Sequence, residues 1–497
     1  MTHRPVVGVG LLFFMTVLVS CQSNPSPLTP QPLLQPEKIT APAETQVPTQ
    51  SPPPHDSPTQ KPVLEYAAQS GETLAILADR FGVSAGEINL IGNNKIATTE
   101  MLNPGILMAI PDVLGHTSPG VKLISDSHIV YSPQVADINP GEYIRAQDGF
   151  FSTYISNDLN AMPESGEKLL VRIALENSIN PQLLIALLEY RCGCILGELN
   201  PDIEPGYLVG INQWPHEGLY RQLLWLVNQL NAGYYGWRAG SLTELIFPMG
   251  DTLRINPTLN AGTVALQYLF SQLYDREEWH KAIDTDTGFI NTYVSMFATE
   301  QAFMDFTPFY PKDLTQPNFI LPFIPGHTWS FTGGPHSAWE KLGPEAAIDF
   351  APMAEEPNCD VSEEWVTAMA SGVITRLEPG FMLLDLDEDE NEHTGWVILY
   401  LHLTWHPKFR VGQHVAQDTL LGHPSCEGGR ATGTHLHIAR RYNGEWILAG
   451  GPLPFNLGGW QVGDLPEFYK GTLTKNSLTI TSCTCAIANT YIKRPRE

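Results

Sequence analysis

Basic side chains are scarce: 28 Lys and Arg stand against 53 Asp and Glu in 497 residues, a formal net charge of -25. Phosphate binding runs on clustered Lys and Arg and on counterion release, so nucleic acid is excluded as a partner class, and electrostatic attachment to anionic membrane is disfavoured. Long apolar runs are lacking as well. The N-terminal run, residues 6–19, is about 14 long against the roughly 20 needed to span a bilayer. Cysteine is sparse and odd in number, seven in all, so at least one does something other than close an internal disulfide. The length exceeds one ordinary domain and implies two to four units.

His3 and Arg4 precede the apolar run, which makes residues 1–21 a secretory segment and not a structural helix. It ends in Leu18-Val19-Ser20-Cys21, which resembles the lipobox of bacterial lipoproteins; the resemblance implies that Cys21 carries lipid and becomes the mature N-terminus. Residues 22–62 hold twelve of the 41 prolines among Ser, Thr and Gln. Such a segment buries no core and predicts an extended tether reaching on the order of 100 Å.

From 63 to 113 the pattern becomes that of a compact module: Gly71-Glu72-Thr73-Leu74, apolar positions at Leu74, Ile76, Leu77, Ala78 and Phe81, then Pro104-Gly105 and Ile110-Pro111. Thr73 suits a helix N-cap and the flanking runs suit strands. The segment resembles a LysM domain, a βααβ module that binds N-acetylglucosamine in peptidoglycan or chitin. The resemblance implies glycan contacts from Ser70, Gly71, Glu72 and Thr73 in one loop and Asn103, Pro104, Gly105 and Ile106 in the other.

Residues 125–310 show helical spacing, as in Leu183, Leu184, Leu187 and Leu188, and predict an all-α middle domain. The stretch from Asn180-Pro181 to Glu189 resembles the start of lysozyme-like domains, where a helix presents a catalytic acid; Glu189 is the candidate, two residues earlier than the family spacing, with Arg191 at the usual place. A structural or substrate-positioning helical domain is the alternative. Trp214, Tyr220, Trp225, Tyr234, Tyr235 and Trp237 could stack on sugars but suit a core better.

Nine of the fifteen histidines fall between His327 and His437. His435-Leu436-His437 reads as a strand with both imidazoles on one face, Tyr400-Leu401-His402 ends a second strand, and Asp349 stands between apolar neighbours at the end of a third, where an unpaired carboxylate is costly. Imidazoles converging with one buried acid suggest a catalytic zinc, held by three protein ligands with a fourth position for water. Residues 320–460 resemble the lysostaphin-type and beta-lytic zinc endopeptidases of peptidoglycan, a mainly antiparallel-β fold. In the commoner branch a histidine precedes the aspartate by four; Glu345 stands there, whereas His336 lies thirteen before Asp349, as in the beta-lytic branch. The resemblance implies His336, Asp349 and His437 as zinc ligands and His435 and His402 as catalytic histidines. His327, His393, His406, His414 and His423 fit no motif and read as surface residues, residues 385–392 as a solvated acidic hairpin loop, and 461–497 as a polar tail.

The combined expectation is a multidomain α+β protein, exported and lipid-anchored at the bacterial envelope, that hydrolyses peptide bonds of peptidoglycan with Zn2+ and is targeted to glycan by its LysM domain. Two alternatives stay open: a non-catalytic wall-binding or amidase-activating protein, and a bifunctional enzyme with a second, glycan-cleaving site at Glu189. With Cys21 lipidated, six cysteines remain for an oxidising compartment; Cys359 with Cys426 is the expected pair, and the pairing of Cys192, Cys194, Cys483 and Cys485 stays open.

Overall fold

The computed structural model describes residues 62–92, 95–157, 162–297, 304–339, 343–353 and 359–496. Cys21, the secretory segment and tether residues 22–61 lie outside the described residues. No described helix is long and apolar enough to cross a membrane.

The first module is built from β1 (Val63–Ala67), α1 (Leu74–Phe81), β2 (Asn89–Leu90) and β3 (Leu107–Pro111), the strands pairing in the order β1-β3-β2. Thr73 caps α1 as expected, its side chain accepting from the Ile76 N–H at 3.2 Å. The second helix of the expected βααβ pattern is only a 3₁₀ turn, Ala85–Glu87, held by a capping box between Ser84 and Glu87, and it leads into the short β2. The turn ends where Asn89 and Leu90 pair with Ala109 and Met108, so β2 takes the backbone bonds instead.

The middle region carries α2 (Pro140–Ala146), α3 (Gly166–Asn177), α4 (Pro181–Cys192), α5 (Leu219–Arg238), α6 (Ala261–Leu273), α7 (Arg276–Ala282) and α8 (Phe289–Phe297). Leu183 through Leu188 are all buried, so α4 is apolar all round and forms the centre of the bundle. At Gly233 of α5 an added Cβ would lie 2.8 Å from the Ala265 Cα of α6, so glycine sets the close approach of these two helices. The domain is not all-α: two small hairpins, β4 (Ile155–Ser156) with β5 (Glu164–Ser165) and β6 (Glu244–Ile246) with β7 (Thr252–Arg254), close loops between helices. Tyr234, Tyr235 and Trp237 are core residues, whereas Trp214 is exposed.

The C-terminal region is one large antiparallel sheet. Its strands are β8 (Thr328–His336), β9 (Ala347–Pro352), β10 (Val366–Thr367), β11 (Gly372–Glu378), β12 (Gly380–Asp385), β13 (Trp396–Trp405), β14 (His414–Val415), β15 (Leu420–Pro424), β16 (Leu436–Tyr442) and β17 (Glu445–Trp446). A second sheet of β18 (Asn456–Leu457), β19 (Trp460–Asp464), β20 (Gly471–Lys475) and β21 (Leu478–Thr481) follows, and β22 (Tyr491–Lys493) returns to pair with β8. The expected tail from 461 is therefore part of the domain, with Val462, Leu473, Ile480 and Ile492 in its core.

Alternation sorts the main sheet into two faces. Ile348, Phe350, Ile398, Tyr400, Leu436 and Ile438 enter the domain's own core. The opposite face, with Ala347, Val397, Leu399, Leu401 and Ala439, joins the core of the helical domain. On that face the Arg441 guanidinium donates to Ser178 Oγ at 3.1 Å, and Tyr235 Oη accepts from the Trp446 N–H at 3.0 Å. The acidic hairpin is less solvated than expected: Asp385 is buried, and Glu392 pairs with the half-buried Arg376 at 3.2 Å and with Arg441 at 2.8 Å, whose guanidinium is itself buried and needs a carboxylate. His393 is likewise no surface residue; its ring stacks on Tyr131 with centroids 3.9 Å apart. Cys359 is bonded to Cys426 as expected, and the other four cysteines pair locally, Cys192 with Cys194 and Cys483 with Cys485.

Candidate active site

Three strands bring the expected ligands together on the face shared with the helical domain. Asp349 of β9 stands opposite His437 of β16 in register, and His336 ends β8 beside them. His336 Nε2 lies 3.3 Å and His437 Nδ1 3.2 Å from Asp349 Oδ1, and the two nitrogens are 3.0 Å apart. All three residues are buried. The outer ring nitrogens meet backbone carbonyls, His336 Nδ1 with Gly334 O at 2.8 Å and His437 Nε2 with Ala338 O at 3.1 Å. A carbonyl only accepts, so in the neutral rings each outer nitrogen carries the proton and each inner one presents a lone pair.

Two lone pairs and a carboxylate oxygen thus face one another, and Asp349 Oδ1 has no hydrogen-bond partner. An acceptor left bare at this depth is costly unless a cation fills the space between. His336, Asp349 and His437 can place their ligand atoms within 4.8 Å of one another, which suits a metal ion, and the two-nitrogen, one-oxygen donor set fits a catalytic zinc with an open position. The same contacts set the titration of the cluster. Burial would hold His336 unprotonated, but the Asp349 carboxylate overrides it and raises its pKa, while burial of Asp349 is overcome by His336 and His435, which hold its carboxyl well below the usual range. His437 is pushed down by burial.

His435 precedes β16 with Nδ1 on Gly433 O at 2.7 Å, leaving Nε2 directed inward, 3.7 Å from Asp349 Oδ2. His402 lies on β13, where alternation alone would send it into the opposite core beside Ile398 and Tyr400. Its φ of 60° and the register shift between Gly380 and Phe381 turn it back, so that its ring centroid lies 4.5 Å from that of His435. Its Nδ1 meets Glu427 O at 2.8 Å, next to the Cys359–Cys426 bridge. Burial, then the neighbouring His435 and His437, lower its pKa to about 3 and keep the ring neutral.

Tyr469, which the motifs did not single out, completes the cluster. Its hydroxyl donates to Asp349 Oδ2 and its ring lies 4.3 Å from that of His336. Burial and the Asp349 charge raise its pKa, so it stays a donor. Gly333 makes room for it: a Cβ there would lie 2.6 Å from Asp349 Oδ2 and 2.8 Å from Tyr469 Cε1. Glu345 is not in the cluster, consistent with the longer spacing.

The two other expected sites are built differently. Glu189 Oε2 accepts from the Ile195 and Leu196 N–H groups at 2.9 and 3.0 Å, so the carboxylate holds a turn and does not stand free as an acid. In the LysM-like module, Ser70, Glu72, Thr73 and Pro104 are buried. Glu72 accepts from Tyr66 Oη at 2.7 Å and Arg80 Nη1 at 2.5 Å, and the Ser70 carbonyl accepts from Arg238. Tyr310 N–H donates to Ser70 Oγ at 2.9 Å, and Asn103 exchanges two 2.8 Å bonds with Asp313. A Cβ on Gly71 would lie 3.3 Å from both Arg238 and Tyr310. Segment 310–313 and α5 thus cover Ser70, Gly71 and Asn103, while Ser70 and Gly105 border a cavity of about 230 Å³ and Gly105 alone of the eight is exposed.

Residues 122–309 match the family described as the LasA N-terminal domain. The chain is 25% identical over 173 residues to the beta-lytic metalloendopeptidase of Achromobacter lyticus, covering 33% of this chain and 43% of that protein's length. It is 25% identical over 315 residues to protease LasA of Pseudomonas aeruginosa, covering 56% of this chain and 68% of that protein. Among solved structures, the M23 metalloprotease pseudoalterin from the deep sea overlays with a TM-score of 0.28 at 22% identity, covering 33% of this chain and 95% of that one. The catalytic domain of lysostaphin from Staphylococcus simulans gives 0.17 at 21%, covering 24% and 87%. Over these stretches the chain is similar to LasA-type metallopeptidases.

Proposed function

We propose that the protein is a zinc metalloendopeptidase that hydrolyses peptide bonds of peptidoglycan at the bacterial envelope, held there by lipid on Cys21. The observation that carries the catalytic part is the unbonded Asp349 Oδ1 facing the lone pairs of His336 and His437. His336, Asp349 and His437 would hold a zinc ion, which would supply Lewis acidity for the scissile carbonyl and for a bound water. The chain's own groups handle the protons. His435 Nε2, beside but outside the ligand triad, accepts the proton of the attacking water and returns it to the leaving amine. His402 stays neutral with its one N–H on Nδ1 facing the Glu427 carbonyl, so Nε2 presents a lone pair that accepts from the attacking water, and the Tyr469 hydroxyl, on turning from Asp349 Oδ2, is the donor for the oxyanion. The helical domain packs on the same sheet face, sharing a core with Ala347, Leu401 and Ala439.

The test is digestion of purified peptidoglycan by the zinc-loaded full chain and by His435→Ala. Release of new amino termini by the wild type and its loss in the variant supports the reading. Equal release by both, or new reducing ends in place of amino termini, overturns it.

A further inference from the structure

A cleft of about 450 Å³ opens between the C-terminal half of α5 and the loops of the sheet domain. Its walls are Asn231 and Tyr235 on the helical side and Glu345, Leu448 and Asp464 on the other. Glu345 lies within Coulombic range of the ligand His336, so the cleft adjoins the proposed catalytic centre on the helical-domain side.

The polar groups of this cleft are not satisfied internally. Glu345 and Asp464 repel each other, and neither carboxylate takes part in a hydrogen bond or ion pair among the described residues; no described lysine, arginine or histidine lines the cleft. Burial, and for Glu345 the Asp464 charge, raise the pKa of both. The independent observation is Asn231. It is 2% exposed, it lines the helical wall, and neither its amide nitrogen nor its amide oxygen has a partner. Asn177, Asn228 and Gln267 of this domain each leave only their amide oxygen bare, whereas Asn231 leaves both amide atoms bare. An amide left bare beside two unneutralised carboxylates marks a place where ligand atoms complete the bonding.

We propose that this cleft is a substrate subsite for a protonated primary amine, the ammonium of a diamino-acid side chain or a free peptide N-terminus. The ammonium sits between Glu345 and Asp464 and places the adjoining peptide across His435 and the ligand triad. An ammonium brings three donors and one positive charge, which two carboxylates and an amide oxygen match, and charge complementarity of this kind selects among peptides of similar shape. The inference rests on the peptidase reading for its biological use but not for its test.

The test has a binding arm and a turnover arm. In the first, the metal-free full chain is titrated with a short lysine-containing peptide and with its Nε-acetylated twin. The free amine should bind about tenfold or more tightly, with the advantage shrinking as salt rises. Glu345→Gln with Asp464→Asn should bring the ratio close to one. Glu345→Lys should reverse it in favour of an Nε-succinylated twin, a gain that a misfolded variant cannot show. In the second arm the same ratio should appear in kcat/KM of the zinc-loaded protein, mainly through KM. Equal binding of the twins by the wild type, or a preference that survives the double substitution, overturns the subsite, as does Ca2+ binding without amine binding. Amine-selective binding without any cleavage would keep the subsite and reject the peptidase reading.

Discussion

Two inward-turned polar surfaces of this protein differ in how their atoms are satisfied. In the LysM-like module, Glu72 is buried and bonded to Tyr66, Gln69 and Arg80, and Ser70 and Asn103 are matched by Arg238, Tyr310 and Asp313. In the histidine cluster, burial is as deep, yet Asp349 Oδ1 is bare and two ring nitrogens present lone pairs to it. Satisfied burial is architecture; convergent, unsatisfied burial is a place for a ligand. The Asn231 cleft belongs with the second kind.

The largest expected effect would break the comparison outright. His435→Ala should lower peptidoglycan-peptide turnover by on the order of 10³-fold, within the range for loss of a general base, while leaving metal content intact. Tyr469→Phe should cost less, about 10²-fold in kcat with little change in KM, the magnitude for one oxyanion donor. A Tyr469→Phe enzyme with wild-type kcat would reduce the tyrosine to a positioning role on Asp349.

Arg238 tests the other side. Its guanidinium joins three regions, donating to the Ser70 carbonyl and pairing with Asp126 at 3.2 Å and Glu445 at 3.0 Å. Arg238→Met should destabilise the fold by about 3–5 kcal/mol in denaturant titration, since two carboxylates lose a buried partner. If the module is a glycan binder held closed by these contacts, Asp313→Ala should raise chitin-oligomer binding by the full chain. No binding by either protein would leave the module as architecture alone.

His128 gives the next effect. Burial lowers its pKa from the ordinary 6.5 to about 4. The unfolded chain therefore binds the extra proton first as pH falls, so stability is full above pH 6.5 and declines between 6.5 and 4, by at most about 3 kcal/mol. Thermal unfolding of His128→Gln should lose that part of the slope; an unchanged slope would assign it to other groups. Smallest is Glu189→Gln, which should leave peptidase activity unchanged and cost about 1 kcal/mol through two weakened turn bonds. Loss of a glycan-cleaving activity would restore the acid reading.

The site was legible to the extent that its chemistry repeats at short range. His435 and His437 share a face by alternation, and the thirteen-residue step from His336 to Asp349 survives because β8 and β9 pair directly. What was hidden depends on backbone geometry or long reach. Nothing in Tyr400-Leu401-His402 announces that His402 adopts φ 60° and changes face, and Tyr469 lies in a polar stretch whose neighbours, the glycines 333 and 334, make sense only once it is seen above them. The module misled for the opposite reason. Its loops read as surface because their partners, Arg238, Tyr310 and Asp313, lie more than 160 residues away.

The most direct test of the central claim is metal analysis of the purified full chain alongside His336→Ala and Glu345→Ala. The account predicts about one zinc per wild-type chain and per Glu345→Ala chain, and essentially none for His336→Ala. Zinc retained by His336→Ala and lost from Glu345→Ala would contradict it.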